Sequence, residues 1–168
     1  GMYVLADEIY EHINYIGHHE SIAQFPGMKE RAIIVNGVSK AYAMTGWRIG
    51  FIAAPQWIVK GCNKLQGQYT SGPCSVSQKA AEAAYTLPQD CVETMRQAFE
   101  RRRDLIVELA KEIPGLEVNK PEGAFYLFPK CSSFYGKTDG THTINNSTDL
   151  AMYLLEVGHV ATVGGDAF

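Results

Sequence analysis

Gly37-Val38-Ser39-Lys40-Ala41-Tyr42-Ala43-Met44-Thr45-Gly46-Trp47-Arg48-Ile49-Gly50 is the stretch on which the reading of this chain turns. It sets one lysine among small residues, shortly after the apolar run Ala32-Ile33-Ile34-Val35, with an arginine downstream. A carboxylate and a phenol stand upstream at Asp7 and Tyr10, just beyond a second apolar run, Tyr3-Val4-Leu5-Ala6. Continuous apolar runs of this kind predict strands buried on both faces of a parallel sheet. In open α/β sheets ligands collect beyond the carboxyl ends of the strands, so Asp7, Tyr10 and Lys40 are expected at one pocket mouth. Together these residue types suit an aldehyde cofactor. The amine forms the imine, an acid keeps a ring nitrogen protonated, a phenol serves a ring oxygen and a guanidinium holds a phosphate.

Outward from this stretch the pattern is α/β. Ile49–Ala54 predicts a third strand stopped by Pro55. Helical periodicity then runs to Thr86, broken at Thr70-Ser71-Gly72-Pro73, with Ser75 as the cap of the second helix. Val92, Met95, Phe99, Ile106, Leu109 and Ile113 recur at helical spacing between Pro88 and Pro114-Gly115, describing one long amphipathic helix that links two domains. Short strands are expected at Leu116–Val118 and Ala124–Phe128, then a polar loop from Lys130 to Asn146. Ser147 or Thr148 is expected to cap a helix over Asp149–Glu156, and a last strand spans His159–Val163.

The composition, 46% hydrophobic and 20% charged over 168 residues, is that of a globular chain. A net charge of −3 and a pI near 6.0 speak against nucleic acid as a partner. The basic triplet Arg101-Arg102-Arg103 is flanked by Glu100 and Asp104 and reads as a solvated helix face. No stretch of about 18 apolar residues suggests a membrane span, and no secretory leader is read at the N-terminus. Cys62, Cys74, Cys91 and Cys131 lie far apart, which fits reduced thiols in a cytoplasm better than a zinc site. His12, His18, His19, His142 and His159 have no metal-ligand spacing.

At these residues the chain resembles the class I, fold-type I pyridoxal-phosphate aminotransferases, most closely the aspartate aminotransferase group. The motifs that carry the resemblance are the Lys40–Arg48 interval, Asp7-Glu8-Ile9-Tyr10 on the preceding strand, and the turn Pro121-Glu122-Gly123-Ala124-Phe125-Tyr126. The resemblance implies reversible amino transfer between an amino acid, such as aspartate, and a 2-oxo acid. Lys40 is implied as imine anchor and general base, Asp7 as partner of the pyridinium nitrogen, and Tyr10 as donor to the ring oxygen. Arg48 is implied as a two-pronged phosphate ligand. Gly37 and Ser39 are implied at the phosphate, and many family members carry a serine where Gly37 stands. Phe125 is implied near the substrate entrance, and Tyr69, Thr70 and Ser71 at a neighbouring subunit's cofactor. Each has a plainer reading: a surface lysine, a capping aspartate, a structural tyrosine, an arginine–carboxylate salt bridge, a packed phenylalanine.

The resemblance also implies which parts of the fold are present. Residues 1–88 correspond to the C-terminal part of the mostly parallel, cofactor-binding large domain, and residues 89–168 to most of the small α/β domain, begun by the linking helix. Family members are much longer, and their substrate-carboxylate arginine lies beyond a segment matched by Gly165-Asp166-Ala167-Phe168. The expectation is therefore an internal piece truncated at both ends, inactive alone and prone to form homo-oligomers through bare sheet edges. Two alternatives stand beside amino transfer: a lyase or synthase on the same scaffold, which uses the same four side chains, and a folded remnant that only self-associates.

Overall fold

The computed structural model describes residues 1–168. Three strands, β1 (Val4–Asp7), β2 (Ala32–Gly37) and β3 (Gly50–Ala53), form one mixed sheet in the order β1-β2-β3. β1 pairs parallel with β2, Asp7 lying opposite Val35, whereas β3 returns antiparallel, Gly50 lying opposite Gly37. Four helices follow: α1 (Gln56–Tyr69), α2 (Ser75–Thr86), α3 (Asp90–Lys111) and α4 (Ser147–Glu156).

The chain packs as two compact units, one of residues 1–100 with 122–124, the other of residues 101–121 with 125–168. The changeover falls inside α3. In the first unit Ile13, Ala32, Val38, Ala41, Ala81 and Val92 are buried. The 122–124 segment belongs there because Asn14 and Gly123 form a bridge, with Ala124 N–H donating to Ile13 O at 2.8 Å. In the second unit Val107, Ala110 and Ile144 are buried, and the nearly buried Arg103 donates to Asp104 at 2.7 Å and to the Pro121 carbonyl.

Several expectations are corrected. β1 is not buried on both faces: its burial alternates, and Leu5 is 67% exposed, because β1 is an edge strand of a narrow sheet. Leu116–Val118 and Ala124–Phe128 do not form strands. Only the single bridge Glu117–Lys130 forms there, and Ala124 takes φ 55°, a left-handed backbone that cannot continue a pleat. The expected last strand, His159–Val163, does not form either: His159 takes φ 55° and Val160 N–H turns back to Leu154 O at 2.9 Å. Ser75 lies inside α2, with Cys74 at the N-cap. At α4 the cap is Asn146, whose side chain accepts from Asp149 N at 2.8 Å, and Ser147 is already helical.

Candidate cofactor site

Each of the expected cofactor residues except Phe125 emerges at one end of the sheet. β1 and β2 are parallel, so Asp7 and the Gly37–Lys40 segment leave in the same direction. β3 is antiparallel and starts opposite Gly37, so Arg48, just ahead of it, approaches from that same end. The sheet's hydrogen-bonding register thus delivers three separate segments to one edge.

Lys40 sits on a tight turn, Tyr42 N–H donating to Val38 O at 3.3 Å and Ala43 N–H to Lys40 O at 3.2 Å. The turn is pinned by Val38, which is fully buried, and by Ala41, nearly so, which leaves the half-buried Lys40 between two anchors. Lys40 Nζ lies over the Tyr10 ring, 5.6 Å from its centroid, within reach of a cation–π contact. Tyr10 itself belongs to the turn after β1, where Glu11 N–H donates to Glu8 O and Ile13 N–H to Tyr10 O.

Asp7 Oδ1 accepts from Ile9 N–H at 3.1 Å, a local turn that fixes the exposed carboxylate and leaves Oδ2 without a protein donor. Arg48 makes no salt bridge. Its Nη1 donates to Thr45 O at 2.8 Å, and its own backbone is left-handed at φ 53°, ψ 49°. Gly37 is buried against β3, and a Cβ there would lie 2.7 Å from Ile49 O, so no side chain fits without moving backbone. Ser39 is half-buried beside it. Phe125 belongs to the second unit, exposed, its ring centroid 5.0 Å from that of Tyr126. Tyr69 ends α1 and is 83% exposed, ahead of Ser71 at φ 64°.

Three polar residues that sequence reasoning passed over shape this edge. Glu8 is buried, accepting from Ser21 Oγ at 2.7 Å and facing His19 Nε2 at 3.2 Å. Asn36, also buried, donates from Nδ2 to Glu11 Oε1 at 2.7 Å. The signal was available: an asparagine closing an apolar strand, and a second and third acid after Asp7, are polar groups that must find partners if buried. The negative charge of Glu11 reaches two phenols. Tyr42 and Tyr85 both titrate above the ordinary tyrosine range, mainly through burial and, in smaller part, through that carboxylate.

The donor set fits a pyridoxal phosphate: amine, phenol, unengaged carboxylate oxygen and guanidinium gather at one sheet end. Comparison with known proteins agrees. Along residues 1–168 the chain matches the family described as aminotransferase class I and II. It is 52% identical over 170 aligned positions to a bifunctional aspartate aminotransferase and glutamate/aspartate-prephenate aminotransferase of Petunia hybrida, covering 98% of this chain and 36% of that protein. The solved structure of an aspartate aminotransferase from Rhizobium meliloti superposes with a TM-score of 0.92 at 47% identity, covering 98% of this chain and 42% of that one. An aromatic aminotransferase structure from Pyrococcus horikoshii gives 0.87 at 41% identity. The chain spans about two fifths of the length of such relatives. It is a part of the pyridoxal-phosphate fold-type I architecture, and it belongs to the class I and II aminotransferase family.

Proposed function

We propose that this chain carries the lysine-bearing portion of an aminotransferase that moves an amino group between an amino acid, aspartate foremost, and a 2-oxo acid. The observation that supports it most is Lys40 Nζ over the Tyr10 ring, at the sheet end from which Asp7 also leaves. The relatives' names, aspartate and aspartate/prephenate aminotransferases, support the substrate class. When bound, the cofactor supplies an electron sink for the bond broken at the substrate Cα.

Several of the chain's own side chains serve that chemistry. Lys40 Nζ would hold the cofactor through its amine and would serve as the general base for the substrate Cα proton. The Asp7 carboxylate keeps a proton on the ring nitrogen, and the Tyr10 hydroxyl donates to the ring oxygen. Arg48 holds the phosphate through the guanidinium nitrogens not given to Thr45 O, with the Gly37 and Ser39 region beside it. Phe125 borders the substrate entrance.

The same reading takes residues 1–88 as large-domain and 89–168 as small-domain sequence. It makes the whole protein a cytoplasmic homodimer, supported by four cysteines without disulfides and by the outward Tyr69 at the end of α1. No helix is long and apolar enough to cross a membrane. Alone, the chain is inactive and self-associates through exposed Tyr3 and Leu5 at the β1 edge.

The experiment is trapping. The chain is mixed with pyridoxal phosphate, reduced with borohydride and mapped by mass spectrometry. Label concentrated at Lys40 and lost in Lys40→Ala upholds the reading; label spread evenly over Lys29, Lys60, Lys64 and the other surface amines defeats it.

A further inference from the structure

Asn36 has no place among the roles above, yet it is only 7% exposed and both ends of its amide are committed. Nδ2 donates to Glu11 Oε1 at 2.7 Å, and Oδ1 accepts from Gly37 N–H at 2.7 Å. A flipped amide would set its carbonyl against the carboxylate and its NH2 against the N–H, so the orientation is fixed. One contact reaches the turn that carries Tyr10, immediately before Glu11. The other holds the peptide that leads into the Lys40 turn. Below them, Glu8 N–H donates to Val35 O at 2.8 Å, so the segment after β1 is tied to β2 at two successive points. His12 Nε2 is the other group near that Glu11 oxygen, at 3.4 Å.

We infer that the Asn36–Glu11 pair is a positioning device that sets the Tyr10 ring against Lys40 Nζ. Neither residue touches the reacting atoms; the pair fixes the separation of the phenol and the amine that do. Its catalytic meaning rests on the proposed function, whereas its geometric content does not. A hydrogen bond to a carboxylate is stronger than one between neutral groups, and a half-buried site screens it less than open solvent would, so it is suited to hold a turn.

The test uses the full chain without cofactor and reads the chemical shift of the Lys40 ε-methylene protons, which the Tyr10 ring face displaces upfield. Tyr10→Leu gives the undisplaced value. Asn36→Asp sets two carboxylates against each other and is expected to move the shift most of the way to that value. Adding Glu11→Gln exchanges donor and acceptor, since the new amide donates to Asp while Gly37 N–H keeps its acceptor, and is expected to restore the shift. Should Asn36→Asp fail to fold, Glu11→Leu removes the acceptor without adding charge and carries the same readout. Borohydride trapping with pyridoxal phosphate then reads the share of label at Lys40, expected to fall at least twofold in Asn36→Asp and to recover in the double variant. A Lys40 shift that stays at its wild-type value in Asn36→Asp, or that the double variant fails to restore, overturns the inference. A shift that responds as described in a chain whose Lys40 takes no label upholds the device and sinks the proposed function instead.

Discussion

Gly37→Ala adds one methyl group and should lower stability, whereas Gly67→Ala adds the same group and should raise it. At Gly37 the new Cβ would stand 2.7 Å from Ile49 O and 2.9 Å from Gly50 Cα, both backbone atoms of the partner strand or its approach. Ordinary carbon contacts begin near ~3.5 Å, so relief must come from parting β2 and β3 at the register pair Gly37–Gly50. Overpacking of this kind costs about 1–3 kcal/mol, offset by roughly 0.4–1 kcal/mol from the stiffer unfolded chain. The net loss is centred at about 1.3 kcal/mol within a span of roughly 0–2.6, or a fall of roughly 3–5 °C in melting temperature at the centre for a chain of this size. Gly67, inside α1, has nothing within 4 Å of a built Cβ. There alanine gains about 0.5–1 kcal/mol of helix propensity. Thermal and urea unfolding of both variants, followed by circular dichroism, tests the pair. A Gly37→Ala protein that melts at or above wild type would refute the steric reasoning, and Gly37→Ser should behave like Gly37→Ala, since its Cβ meets the same backbone atoms.

Other outcomes follow from the second unit. Asn146→Ala removes the acceptor for Asp149 N–H and should cost about 1 kcal/mol, read as faster amide exchange in the first turn of α4; unchanged exchange there would contradict the cap. Arg103→Ala strips the Pro121 carbonyl and Asp104 of a nearly buried donor and should cost about 1–3 kcal/mol in urea unfolding, with Arg103→Lys recovering only part. Asp139 accepts from the Thr141 and His142 amides at 2.8 Å and 2.7 Å, and these bonds, with the His142 ring, lower its pKa to about 2. A depressed folded value means a contribution that is full above the unfolded pKa of 3.8 and fades as pH falls from there through about 2. Carboxyl-carbon titration should therefore show Asp139 ionised at pH 3, and a midpoint near 4 would refute that account.

The shared sheet end of Asp7, Tyr10, Lys40 and Arg48 was legible because its spacing is local: Asp7 to Tyr10 is one turn, and Lys40 to Arg48 is one loop and a strand approach. The three strands followed from three apolar runs, yet their order and the exposure of Leu5 did not, since an apolar run gives no sign of whether its strand is central or at an edge. The false strands at Ala124 and His159 show the limit of pattern reading. Nothing in an alanine or a histidine announces a positive φ, a choice made by surroundings far away in sequence, as at Ala124, whose N–H is held by Ile13 O. Asn36 and Glu11 escaped notice for the same reason. They lie in separate segments, and only the β1–β2 register brings them together.

Arg48 holds its backbone at an angle that nearly every side chain avoids, at a cost of about 1–3 kcal/mol, and glycine or asparagine would sit there more easily. A library randomised at this codon and sorted for folded protein should therefore drift toward those two residues. Sorted for retention of pyridoxal phosphate, it should return to arginine. How far the two selections diverge would measure how much conformational discomfort the proposed phosphate contact is able to outweigh.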